Sequence, residues 1–236
     1  MKFGLNVGMF ILFFFLTLTL SLDNAYATIT IPVGSRPAGV VFDSHLNEVF
    51  VTNAGTQTSI GSLYVISDAT NKVVATMIGF SAPLGIAFDS HLNEVFVTDY
   101  TSGTVWVLSD ATITLTATIT VGQYPSGVAF DSHLDEVFVT RSASDTVSVI
   151  SDATNKVTAT INVGTGPEGI AFDPHMNEMF VANWGSDTVS VISDATNTVI
   201  ATINVGGFPE GVAFDSHKNE IFVANDGSNT VSVIPG

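Results

Sequence analysis

The sequence predicts an all-β fold, a β-propeller of five four-stranded antiparallel blades, on three observations. A ten-residue marker, FDSHLNEVFV or a close variant, begins at Phe42, Phe88, Phe130, Phe172 and Phe214, and all five histidines (His45, His91, His133, His175, His217) hold the same place in it. The histidines are spaced by 46, 42, 42 and 42 residues, a period that belongs to propellers and solenoids. Each unit divides into four short apolar runs with polar turns between them, too closely spaced to leave room for helices.

In chain order, the first 27 residues are a different material from the rest. Lys2 supplies a short positive region, Met9 to Leu22 an apolar run, and Ala25-Tyr26-Ala27 a small-residue cleavage signature. This reads as a secretory signal peptide over residues 1–27, the apolar run being short for a membrane span. Residues 28–236 then form the exported repeat domain, with no membrane span of its own.

Within the third repeat, GVAFD (Gly127 to Asp131) and EVFVT (Glu136 to Thr140) are β-rich runs separated by the turn SHLD. TVSVI (Thr146 to Ile150) and KVTATINV (Lys156 to Val163) follow, joined by SDATN. Apolar residues occupy both faces of EVFV and VSVI, whereas a sheet with one wet face alternates between apolar and polar. Each sheet is therefore covered on both sides, as in radially stacked blades. The innermost strand is expected to bring the small residues Ala87, Ala129, Ala171 and Ala213 of GVAF close to the axis. At the chain ends, TITIPV (Thr28 to Val33) matches the fourth run of a repeat and is expected to complete the last blade, closing a monomeric ring.

The charge excludes several partners. Lys2 and Asp23 are the only charged residues among the first 27 and cancel, so the whole net charge of −16 belongs to the repeats. Such a field disfavours nucleic acid and anionic membrane surfaces. The chain has no cysteine, so stability must come from packing rather than disulfides.

The repeated turn Asp43-Ser44-His45-Leu46-Asn47-Glu48 begins like a calcium loop. Its sixth position is Glu48 where that loop needs glycine, and its twelfth is Ala54 where it needs a bidentate glutamate. Its Asp and Ser are expected to bond the turn backbone, with weak divalent-cation binding as the alternative; no cofactor is expected. SDAT, at Ser67, Ser109, Ser151 and Ser193, reads as a second structural turn. Tyr64 and Trp106, which replace the serine of TVSVI within a strand, are expected to pack between blades. No G-x-S-x-G, H-E-x-x-H or phosphate-loop motif is present, so no catalytic residue is assigned.

The elements VGxxPxGVAFD, NEVFVTN, SDTVSVI and SDATNxVxATI, with VTN, VTD, VTR, VAN and VAN closing the second run of each unit, resemble the YVTN family of β-propeller repeats over Thr28 to Gly236. The resemblance implies a surface-layer or other exported protein without assigned chemistry. It also brings related lactonases and lyases into view.

Residues that differ between repeats escape the demands of the repeated fold. The most variable loops surround Pro37, Pro83, Pro125, Pro167 and Pro209, and follow Asn53, Asp99, Arg141, Asn183 and Asn225. In an antiparallel four-stranded blade these loops emerge on one face, and the histidine and SDAT turns on the other. The variable face carries Arg36, Tyr100, Tyr124, Arg141, Glu168, Trp184, Phe208 and Glu210, and aromatics and arginine are the types enriched at interaction hot spots. The expected function is a secreted, non-catalytic module that binds a protein or polymer at the cell surface through this face. The alternative is a metal-assisted lactonase- or lyase-like enzyme whose cation would be held at the channel mouth by Asn53, Asp99, Asn183 and Asn225.

Overall fold

The structure, a computed structural model, describes residues 28–56 and 59–236; the signal peptide expected over residues 1–27 lies outside them. Nineteen strands fall into five sheets of antiparallel neighbours. Blade 1 is β1 (Pro37–Asp43), β2 (Glu48–Asn53), β3 (Gly61–Ser67) and β4 (Lys72–Phe80). Blade 2 is β5 (Pro83–Asp89), β6 (Glu94–Asp99), β7 (Thr104–Ser109) and β8 (Thr114–Thr120). Blade 3 is β9 (Pro125–Asp131), β10 (Glu136–Arg141), β11 (Thr146–Ser151) and β12 (Lys156–Asn162). Blade 4 is β13 (Pro167–Asp173), β14 (Glu178–Asn183), β15 (Thr188–Ser193) and β16 (Thr198–Asn204), and blade 5 is β17 (Pro209–Asp215), β18 (Glu220–Asn225) and β19 (Thr230–Pro235). The strands expected in the third repeat are those observed to within two residues.

The turns follow from their residue types. In the first hairpin of each blade, Asn47, Asn93, Asp135, Asn177 and Asn219 take positive φ, a conformation that Asn and Asp tolerate better than other non-glycine residues. In blades 1 to 4 the aspartate that opens the turn accepts two amides through one oxygen, as Asp43 does from His45 N (2.7 Å) and Leu46 N (3.2 Å). The same bonds recur at Asp89, Asp131 and Asp173.

Packing runs from blade to blade. Phe138, Val147, Val149 and Ile161 of blade 3 form one core cluster with Ile170, Met179, Val181 and Ile192 of blade 4, and the equivalent residues of blades 4 and 5 form another. Every β-face of an interior blade is thus half of a dry interface, which explains why the strands lack polar alternation. Trp106 of blade 2 lies 4.3 Å from the ring of Phe80 in blade 1, the inter-blade role expected of it. The innermost strands pack in series, β1 on β5, β5 on β9, β9 on β13 and β13 on β17.

Two expectations are corrected. The last blade has three strands: residues 28–34 carry no strand, and β19 ends its sheet. Position 32 corresponds to Asn162 of β12, and Pro32 brings no amide to pair with an edge. Among the described residues, the series of blades also leaves its two end faces uncovered. Val231 and Val233 of blade 5 are 60% and 50% exposed and Val40 and Phe42 of blade 1 are 67% and 52% exposed, whereas Val147 and Val149 are fully buried. No packing comparable to that between neighbours joins β17 to β1. The second correction concerns the axis. Ala87 and Ala129 belong to the inter-blade clusters, and the axial cavity of about 450 Å³ is lined instead by the Pro-x-Gly segments that begin each first strand.

Candidate binding site at the channel mouth

The Pro-x-Gly segment brings one variable side chain per blade to the axis: Ala38, Leu84, Ser126, Glu168 and Glu210. The segment is held by a threonine near the end of the second strand. Thr140 Oγ1 accepts from Gly127 N in its own blade (2.7 Å) and donates to the Glu168 carbonyl of the next (2.7 Å). Thr52 and Thr98 do the same toward Leu84 and Ser126. These bonds fix where the variable side chain of the following blade starts, and they are absent from blades 4 and 5, where Ala182 and Ala224 stand at that position.

A second cavity of about 500 Å³, which shares Leu84, Glu168 and Glu210 with the axial one, is lined by Arg36, Ala54, Ala82, Leu84, Tyr100, Thr101, Glu168 and Glu210. Four of the eight residues expected on the variable face therefore meet in one place, drawn from blades 1, 2, 4 and 5. Burial pushes the Glu168 carboxyl above its ordinary value; a hydrogen bond from Ser126 opposes this and the charge of Glu210 adds to it. The ion pairs among the described residues all involve histidine, so the Arg36 guanidinium and the two carboxylates line this cavity without neutralising one another.

The other four residues are placed differently. Tyr124 stacks on Tyr100 with ring centroids 4.8 Å apart, and Phe208 on Trp184 at 4.5 Å. Each stack joins the loop between the second and third strands of one blade to the Pro loop of the next. Tyr124, Phe208 and Arg36 all sit at positive φ directly before their prolines, a strained conformation of the kind concentrated at functional sites. Arg141 is not free for a partner. Its Nη1 donates to the Val121 carbonyl (2.5 Å) and its Nε to Ser144 and Thr146 hydroxyls, so it clamps the loop of blade 3 to the end of blade 2.

The four channel-mouth candidates do not converge. Asn53, Asp99, Asn183 and Asn225 are buried, and each bonds within its own blade. Asp99 accepts the amides of Ser81 and Ala82 (2.7 and 2.9 Å), Asn183 donates to the hydroxyls of Thr188 and Ser190, Asn225 donates to those of Thr230 and Ser232, and Asn53 reaches the Val51 carbonyl. They shape the loops that carry the cavity.

On the opposite face, a bond between blades appears that the sequence did not suggest. His45 Nδ1 lies 2.8 Å from Asp110 Oδ2 and His133 Nδ1 lies 2.7 Å from Asp194 Oδ2, so the histidine turn of one blade bridges to the SDAT turn of the next. His91 bridges to Asp135 and His175 to Asn219 instead. Asp43, His45 and Asp110 offer ligand atoms within 4.8 Å of one another, and Asp43 keeps one buried oxygen without a partner; of the described residues, these could hold a divalent ion.

The titration of this face has a definite sign. The Asp194 hydrogen bond raises His133 above 6.5, and burial, with carboxylates as neighbours, raises Glu48, Glu136 and Glu178. In each case the folded state holds its proton more tightly than the unfolded chain. The associated stability is present below the unfolded pKa and is lost as pH rises through the folded one. The midpoint of thermal unfolding is therefore expected to be higher near about pH 5 than near about pH 8, as calorimetry across that range would report; an unchanged or rising midpoint would contradict these shifts.

No protein-family model matches the chain, and no curated protein matches it. Solved structures do. The hydrazine synthase of Kuenenia stuttgartiensis aligns with a TM-score of 0.72 at 15% identity, over 89% of this chain and 69% of that one. The structure of U3-55K aligns at 0.74 and 14% identity, over 86% and 62%. A functionally unknown protein from Desulfotomaculum acetoxidans aligns at 0.68 and 19% identity, over 86% and 70%. The chain thus spans about two thirds of the length of the structures it resembles, at identities that speak for architecture alone. With its repeated antiparallel sheets, it is a β-propeller repeat protein.

Proposed function

We propose that the chain is an exported, non-catalytic propeller of the YVTN-repeat type that binds a partner at the cell surface through its Pro-loop face. The observation that carries this reading is the meeting of Arg36, Tyr100, Glu168 and Glu210 in one cavity. All four sit where the repeats differ, so symmetry of the fold does not account for them. The two aromatic stacks beside it add exposed Trp184, Tyr124 and Phe208, a hot-spot composition. Export is supported by Lys2, the run Met9 to Leu22 and Ala25-Tyr26-Ala27, and a secreted product starting at Thr28 is expected.

The test compares two faces. Binding to a washed cell-envelope fraction is expected to fall by about tenfold or more when Tyr100 and Trp184 are changed to serine, the scale of hot-spot loss. It should be unaffected when the exposed Leu92 and Leu134, on the turns of the opposite face, are changed to serine. Equal losses from both pairs, or no binding by the unaltered chain, would overturn the reading.

A further inference from the structure

The channel-mouth cavity has an unusual charge arrangement. One guanidinium and two carboxylates line about 500 Å³ of space without pairing, and Tyr100, which lines it with them, is held by its stack on Tyr124. Of the three charges only the half-buried Glu168 is penalised by burial, and Arg36 and Glu210 are exposed and open to a ligand. A ligand bearing one anionic and two cationic groups satisfies them together. Arginine's planar fork selects a carboxylate for bidentate contact, each glutamate takes an ammonium or guanidinium, and the tyrosine face favours a cation beside it. The volume lies in the range of small-molecule pockets.

We infer that this cavity binds a free basic α-amino acid, arginine or lysine, with the α-carboxylate on Arg36 and the two cationic groups on Glu168 and Glu210. The inference rests on the Pro-loop face being the binding face, and it names the ligand class of that site. The placement of each group follows from the blades. Arg36 comes from the loop before β1, fixed by the bond from Ala54 N to its carbonyl (2.9 Å). Glu168 and Glu210 come from the starts of β13 and β17, with the Glu168 backbone carbonyl held by Thr140. Opposite charges from different blades thus line one cavity, so a zwitterion would be oriented by them with its side chain left to reach the second carboxylate. A neutral side chain would leave that carboxylate unmatched.

Calorimetric titration of the full chain separates the contributions. L-Arginine is expected to bind about tenfold or more tightly than agmatine, which lacks the carboxylate, and than L-citrulline, which lacks the side-chain charge, each charge-assisted contact contributing on that scale. Arg36→Gln should abolish the preference for arginine over agmatine, with agmatine binding at least as tightly as before because a like charge has been removed. Glu210→Gln should weaken both. Both substitutions alter exposed side chains, and unchanged thermal midpoints would confirm that folding is intact. If arginine binds no better than agmatine, or Arg36→Gln leaves the preference in place, the inference is wrong. If free arginine binds as expected while the cell-envelope test fails, the partner reading alone falls. Envelope binding without amino-acid binding would remove only the ligand assignment.

Discussion

Val147→Asp is expected to destabilise the protein by roughly 4 kcal/mol or more, the loss that follows from burying an unpaired charge in a dry interface, whereas Val231→Asp should change stability by only about 1 kcal/mol. The two valines are the same residue of the repeat, the second position of TVSVI. Val147 lies in the cluster that blade 3 makes with Ile170, Met179 and Val181 of blade 4. Val231 faces outward from the last blade. Typical domains are stable by about 5–15 kcal/mol, so the first variant should unfold at much lower denaturant while the second follows the parent curve. Chemical denaturation monitored by Trp106, which packs on Phe80 inside a blade interface, would report both. Equal loss from the two substitutions would mean that blade 5 is covered in solution, and that the end face is an interface like the other four.

Why some of this was legible in the sequence and some was not has a physical explanation. Positions repeated in every unit serve the contacts made in every unit, so strands, hairpin turns and the two-sided burial of EVFV and TVSVI could be read from one copy. The position of Trp106 in a strand was enough to assign its packing. Strand parity also placed Arg36, Tyr100, Glu168 and Glu210 on one face. Their convergence was not legible, because it depends on the lateral offset that each Pro-x-Gly start takes against the next blade, which is set by Thr52, Thr98 and Thr140 bonding across the interface. The same limit hid the bridges from His45 and His133 to Asp110 and Asp194, whose partners are more than 60 residues apart. Arg141 looked available because charged loop residues usually are; two of its three bonds are local, to Ser144 and Thr146, and the third, to the Val121 carbonyl, depends on the approach of blade 2 to blade 3. TITIPV has the composition of a fourth strand, and its proline is the one residue in it that works against pairing.

The glycine of Pro-x-Gly gives the sharpest test of how blade spacing sets the binding cavity. A Cβ on Gly39, Gly85, Gly127 or Gly169 would meet the backbone carbonyl of the next blade at well under 3.0 Å, while a Cβ on Gly211 would meet nothing nearer than Ala224 at 3.8 Å. Backbone cannot step aside as a flexible side chain can, so the interior substitutions must push neighbouring first strands apart. Gly127→Ala and Gly169→Ala are each expected to destabilise by about 1–3 kcal/mol, the usual result of overpacking. Gly211→Ala should be neutral or stabilising by up to about 1 kcal/mol, because alanine restricts the unfolded chain more than glycine does. The carbonyl struck from Gly127 is that of Glu168, and from Gly169 that of Glu210. Interior alanines should therefore also weaken any ligand of the cavity, although neither glycine belongs to that cavity's wall. Thermal melts of the three variants, with ligand titration on those that stay folded, would show this pattern. A neutral Gly127→Ala would mean that the blades are not held at the spacing that brings Glu168 and Glu210 to one site. The variable side chains supply the chemistry of the channel mouth, and the invariant glycine beside each of them lets the blades come close enough for those side chains to act together.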